Sequence, residues 1–200
     1  MQIHENLLTL GKQNRPGEKM IQVRAIAFHW LAAPKQKPIN TRAWFESAKA
    51  WGSYHYIIGV DGSVMRVIPE NEIGWHVGSN RKDPKSGRIY TDRARTLFGP
   101  QAFTGRSPTN PNFFITPNYF SIGIGMSHLD NNPGTFTEAT LRSAALLAAG
   151  IMRRYQLPPQ SLTTHHEIVG WKDCPRSWTN NPALFDQFKQ QVRQAFMAMR

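Results

Sequence analysis

Val23-Arg24-Ala25-Ile26-Ala27-Phe28-His29-Trp30 is a short, mostly apolar run. Such a run suits a strand buried on both faces, the condition of strands inside an α/β sheet. His29 stands near its far end, where functional groups of α/β folds commonly emerge.

A second stretch offers His29 company. Thr164-His165-His166-Glu167-Ile168-Val169-Gly170-Trp171-Lys172-Asp173-Cys174-Pro175 holds two adjacent imidazoles and the only cysteine of the chain. Imidazole nitrogen and thiolate sulfur are ligand types that Zn²⁺ prefers. One histidine from this pair, Cys174 and His29 would fill three of the four positions around zinc. The fourth would be left for water, as in a catalytic site. The plainer alternative is that Cys174 serves as a small buried hydrophobe and each histidine satisfies a local hydrogen bond. Spacing alone does not choose between His165 and His166.

Composition narrows the field. Two hundred residues, 40% of them hydrophobic, make one domain with a substantial core. No apolar run approaches the ~20 residues of a membrane span, and the opening Met1-Gln2-Ile3-His4-Glu5-Asn6 carries no secretory signal pattern. The reading is therefore a protein made in the cytoplasm, with a single cysteine that excludes an intrachain disulfide. Net charge is +11, which favours a polyanionic partner such as nucleic acid, an anionic membrane or an anionic cell wall. Between Arg81 and Arg106, seven basic side chains stand against Asp83 and Asp92.

Around the first strand, residues 1–20 read as a polar arm. Asn40 or Thr41 can cap a helix with Trp44, Phe45 and Ala48 on one face. Tyr54–Gly59 and Val64–Pro69, joined around Asp61-Gly62, predict a hairpin. Gly74-Trp75-His76-Val77-Gly78 reads as a glycine-flanked aromatic loop. Residues 79–118 lack any helical or strand period and read as a surface insertion that lines or covers a groove. Tyr119–Met126 predicts another central strand, and Thr137 caps a helix to about Tyr155. Ser161–Thr164 predicts a brief strand delivering a His165 loop. A last helix from Pro182 carries Leu184, Phe188, Val192, Ala195 and Met199 as a stripe. The expected architecture is α/β: a single domain spanning 1–200, with a central mixed sheet flanked by helices and the metal site at strand ends.

Five motifs occur in order: Phe28-His29-Trp30, Tyr54-His55-Tyr56-Ile57-Ile58, Gly74-Trp75-His76-Val77-Gly78, Ser121-Ile122-Gly123-Ile124, and His165-His166-Glu167 leading to Lys172-Asp173-Cys174-Pro175. Together, over about Val23 to Phe196, the chain resembles the type 2 N-acetylmuramoyl-L-alanine amidases. That family includes phage endolysins and autolysins and shares its fold with peptidoglycan recognition proteins. The resemblance implies zinc held by His29, His165 and Cys174, so it selects the first of the two histidines. It implies catalytic roles for Tyr54 and Lys172, each otherwise an ordinary strand aromatic and an exposed loop charge. The implied partners are peptidoglycan, both glycan strand and stem peptide, and the anionic wall surface, met by a monomer. A subset of the family carries a general-base Glu after Ser-Ile-Gly-Ile; here Gly125 takes that place, as in phage lysins. Proton transfer then falls to Tyr54 or Glu167, and Glu167 fits a supporting hydrogen bond better.

Zinc-assisted amide hydrolysis makes chemical sense of these residues. Zinc lowers the pKa of bound water to about 7 and polarises a carbonyl. Lys172 can place positive charge near a developing oxyanion, and Tyr54 can orient water or relay a proton. Trp75 and His76 suit a saccharide or peptide groove, by stacking and by hydrogen bonding, or else simply pack their loop. A non-catalytic peptidoglycan-binding module of the same fold is the alternative, although all three ligand positions hold competent ligands. Nucleic-acid binding rests on charge alone, with no recognisable motif.

Overall fold

The opening apolar run becomes β2 (Ala25–Trp30), buried throughout apart from the half-buried Trp30. This computed structural model describes residues 1–31, 33–47 and 49–199. β1 (Ile3–Glu5), β3 (Tyr56–Ile58), β4 (Val64–Arg66), β5 (Ser121–Met126) and β6 (Leu162–Thr164) join β2 in one sheet, ordered β1-β4-β3-β5-β2-β6. The β3–β4 hairpin is antiparallel and the other neighbouring pairs are parallel. The expected mixed α/β sheet is therefore present, with β5 and β2 at its centre.

Alternation along the two central strands sorts the molecule into layers. Ile26 and Phe28 of β2, with Ile122, Ile124 and Met126 of β5, pack against α3 (Glu138–Tyr155) and α6 (Pro182–Ala198). Phe28 meets Phe188 edge-on, with ring centroids 5.0 Å apart. Ala25 and Ala27 point the other way, into a second cluster with Phe98, Ile168 and Val169. That face is covered by α2 (Asp92–Phe98) and α4 (His165–Val169). His29 shares the parity of Ala25 and Ala27, so it lies on the face away from α3 and α6.

Thr137 caps α3 by accepting from the Thr140 N–H, as its position predicts. In α6 the buried stripe is Phe185, Phe188 and Val192, while Leu184 is exposed. The helix packs on the core through that stripe. Short α5 (Arg176–Asn180) adds Trp178 to the same cluster.

Three expectations need correction. The N-terminal segment is part of the sheet: β1 pairs with β4, Leu8 is buried, and Asn14 donates to the Phe45 and Ala50 carbonyls. Three polar-flanked residues show no period of their own, and their extended state comes from the partner strand. Helix α1 (Pro38–Glu46) begins ahead of Asn40 and Thr41, because Pro38 tolerates the first helical position, where no N–H is needed. It buries Thr41 and Phe45 and leaves Trp44 exposed; Ala48, expected on the same face, lies outside the described residues. The 79–118 stretch contains α2, capped by the Thr91 hydroxyl, a 3₁₀ turn at Pro100–Phe103 and the start of another at Pro117–Phe120. A helix of seven residues is too short to declare a period.

Candidate active site

Strands β2 and β6 are parallel neighbours, so their carboxyl ends emerge together. Phe28 lies opposite Thr164, and the next residue along the chain after each is a histidine, His29 at the end of β2 and His165 just past β6. His165 is the first residue of α4 rather than part of a loop. The Thr164 hydroxyl accepts from the Glu167 N–H while the Glu167 carboxylate accepts from the Thr164 N–H, a reciprocal capping box. Glu167 also receives the Thr163 hydroxyl and pairs with Arg93 at 3.2 Å. Its carboxylate is thereby committed to holding the start of α4.

Cys174 returns to this corner because the following segment folds back on α4. Gly170 ends the helix in the left-handed region, at φ 80°. The His166 N–H then donates to the Cys174 carbonyl at 3.0 Å, and His166 Nδ1 meets the Lys172 carbonyl at 3.1 Å. The first of the paired histidines reaches the site and the second secures the returning loop. His29, His165 and Cys174 are all buried, with one donor atom from each within 4.8 Å of the others. Cys174 Sγ is 3.7 Å from His29 Nδ1. In a tetrahedral zinc site with Zn–N and Zn–S bonds of about 2.0 and 2.3 Å, that separation would be about 3.5 Å.

Electrostatics favours the same use. Burial, then the neighbouring His165 and other positive groups, holds the His29 imidazolium far below its usual pKa, and burial and Lys172 push His165 down to about 3. Both rings are neutral at pH 7, the form in which imidazole can bind a metal. Burial pushes the Cys174 thiol up to about 11, so its thiolate requires a nearby cation at neutral pH. The donor set, its spacing and its protonation fit zinc.

Tyr54 lies against His29, with ring centroids 4.7 Å apart. Its space exists because position 125 is glycine: a Cβ there would sit 2.3 Å from the Tyr54 ring. A carboxylate side chain at 125 and this tyrosine placement exclude each other. Burial raises the Tyr54 phenol far above its ordinary range. Exposed Lys172, His165 and Trp75 line two cavities of about 830 and 920 Å³ that flank the cluster. Among the described residues, no Asp or Glu lines either cavity.

Trp75 is on the groove, its indole N–H donating to the Gln13 carbonyl. His76 lines both cavities as well. It is buried, and both ring nitrogens are already engaged, at 3.1 Å from His29 Nε2 and 3.1 Å from the Ser121 carbonyl. Sequence reasoning missed Trp51, 88% exposed between the two cavities, and Trp44 on the rim of the first. Trp51, a tryptophan beside Gly52 and outside any predicted element, was the available signal. It also missed Gln13 and Asn14, which line the second cavity from the supposed arm.

Residues 19–177 match the family model described as N-acetylmuramoyl-L-alanine amidase. The chain belongs to that amidase family. The match omits β1 and the whole of α6, which complete the sheet edge and the core in this member. A probable N-acetylmuramoyl-L-alanine amidase of Bacillus licheniformis is 24% identical over 196 residues, covering 96% of this chain and 47% of its own. BlyA, an N-acetylmuramoyl-L-alanine amidase of Bacillus subtilis (strain 168), is 25% identical, covering 93% and 45%. The chain thus spans about half the length of the curated relatives it matches. Among solved structures, a mutant endolysin from Bacillus subtilis superposes with TM-score 0.65 at 20% identity, covering 96% of this chain and 98% of that one. The PlyG catalytic domain gives 0.68 at 16% identity, covering 100% and 98%. The amidase fold is therefore shared at low identity.

Proposed function

We propose that this chain is a zinc-dependent peptidoglycan hydrolase that cleaves the amide between N-acetylmuramic acid and L-alanine. The observation that carries this reading is the buried His29, His165 and Cys174 set, whose His165 reaches two cavities that no Asp or Glu among the described residues lines. Family membership supplies the bond type. Zinc held by these three would supply a Lewis acid for the scissile carbonyl and an acidified water.

The chain's own groups do the rest. Lys172, at the mouth beside His165, places positive charge where the tetrahedral oxyanion develops, a contribution of ~3 to 4 kcal/mol for one well-aimed donor. Tyr54 keeps its proton across the working pH range, because burial disfavours the phenolate. It can therefore donate a hydrogen bond toward the reacting carbonyl or the leaving amine. Trp51, Trp44 and Trp75 offer ring faces to the saccharide. A groove that no Asp or Glu among the described residues lines accepts the carboxylates of a stem peptide, and the surrounding positive charge draws in the anionic wall.

The decisive experiment is digestion of purified peptidoglycan with and without a chelator, followed by end-group identification. Free muramic lactyl carboxylates and free L-alanine amino groups, lost with the chelator and restored by zinc, are expected. New reducing sugars would overturn the bond assignment. Wall binding without any new ends would make the protein a non-catalytic recognition module.

A further inference from the structure

We infer that His76 is a positioning residue that sets the tautomer and ring orientation of His29, so that His29 presents Nδ1 toward Cys174. The inference takes its consequence for metal binding from the zinc reading above, but the hydrogen-bond chain stands on its own. The Ser121 carbonyl can only accept, so His76 Nε2, 3.1 Å away, must carry a proton. A neutral His76 then has its lone pair on Nδ1. That atom is 3.1 Å from His29 Nε2, which must donate. His29, with its proton on Nε2, keeps its lone pair on Nδ1, the atom 3.7 Å from Cys174 Sγ. A backbone carbonyl on β5 thus dictates which nitrogen of a β2 histidine faces the thiol.

The relay is held rigidly. Asn118 Oδ1 accepts from both the His76 and Val77 N–H groups at 3.0 Å, fixing the backbone of the aromatic loop. The His76 ring lies over Gly123, where a Cβ would come within 2.6 Å of it. His165 needs no such intermediary: its Nε2 is 3.2 Å from the Gly78 carbonyl, which leaves its own Nδ1 free in the same sense. Outer hydrogen bonds of this kind raise metal affinity by fixing ligand orientation, typically by 10–100-fold.

The test uses the full chain with ¹⁵N-labelled histidine. In metal-free wild-type protein, long-range ¹⁵N–¹H spectra should assign the Nε2–H tautomer to His29. His76→Leu should give mixed His29 tautomers and weaken zinc binding, read by chelator competition, by roughly 10–100-fold. His76→Gln should recover most of that affinity, since an amide can donate to the Ser121 carbonyl and accept from His29. An Nδ1–H tautomer of His29 in the wild type would overturn the inference. So would a His76→Leu variant with unchanged tautomers and zinc affinity. Should His76→Leu fail to fold, the wild-type spectrum and the His76→Gln variant still decide. Absence of zinc binding by the wild type would instead remove the metal reading, with the tautomer result unaffected.

Discussion

At the scale of single residues, the site separates side chains that would hold a metal from side chains that would act on substrate. Cys174 is the sharpest case. Burial opposes its thiolate, so only a bound cation makes that charge favourable. Cys174→Ser should strip zinc and activity together, whereas Cys174→Asp should retain part of both, because carboxylate is an acceptable ligand. Zinc per chain by elemental analysis is the measurement, with one per wild-type chain expected. Tyr54 and Lys172 are not among the three donors. Tyr54→Phe and Lys172→Ala should therefore lower kcat with zinc content and unfolding temperature unchanged. The expected fall for Lys172→Ala is on the order of 10²–10³, the usual cost of one oxyanion donor. A wild-type rate in either variant would remove that residue from the mechanism. Glu167 is a poor substitute for either, since its carboxylate already serves the Thr164 N–H, the Thr163 hydroxyl and Arg93.

At the scale of elements, α4 has only five residues and little intrinsic helical stability. Its capping box carries a disproportionate share of the order at His165. Thr164→Ala should cost about 1 kcal/mol of stability, the usual loss for a removed cap. It should also weaken zinc binding more than it weakens the fold, while Thr164→Ser stays near wild type in both. Urea unfolding of the metal-free protein, set beside chelator competition on the loaded protein, distinguishes the two effects. Equal losses in stability and affinity would mean that the cap acts only on the helix. The β5 glycines play the complementary part: Gly123 and Gly125 leave room for the His76 and Tyr54 rings, so this strand builds the site by what it lacks.

At the scale of the whole molecule, the +11 charge has a direction. Arg81, Lys82, Lys85 and Arg88 are exposed, and Arg81 stacks over Trp171, which lines the second cavity. The C-terminal helix buries its apolar stripe and offers only Lys189 and Arg193 as cations. Neutralising the four loop cations should weaken sedimentation with walls and flatten its salt dependence, because screening shortens from ~10 Å at 0.1 M to ~3 Å at 1 M. Hydrolysis of a small soluble muropeptide should be nearly unchanged. Unaltered wall binding across a salt series would refute the loop's role. Stability carries its own pH signature. His55 is fully buried, receives the Gly123 N–H on Nδ1 and has its pKa lowered by burial to about 4. Between the unfolded value near 6.5 and that folded value, the unfolded chain binds a proton that the native state does not. Stability should therefore fall as pH drops through this window, by about 1.4 kcal/mol per unit for each such histidine. Urea unfolding of metal-free protein at pH 7 and pH 5 measures it, and a flat profile would contradict the neutral burial of His55.

The sequence by itself determined the α/β architecture, the two central strands and the long capped α3, and it offered His29, Cys174 and one of two adjacent histidines as donors, the choice of His165 coming from the family resemblance. Those features are written in local patterns, apolar runs and caps, or in residue types that few other roles demand. Only the tertiary structure decided the rest. β1 is a strand solely because β4 stands beside it, and α2 is too short to show a period. Glu167 became a cap and His76 a partner of His29 through neighbours 3 and 47 positions away. Trp51 was unremarked as a residue in a loop and gained meaning only when two cavities met at it. A side chain's type limits the chemistry it can do, but its hydrogen-bond partners choose among those possibilities, and partners distant in sequence are assigned only by the fold.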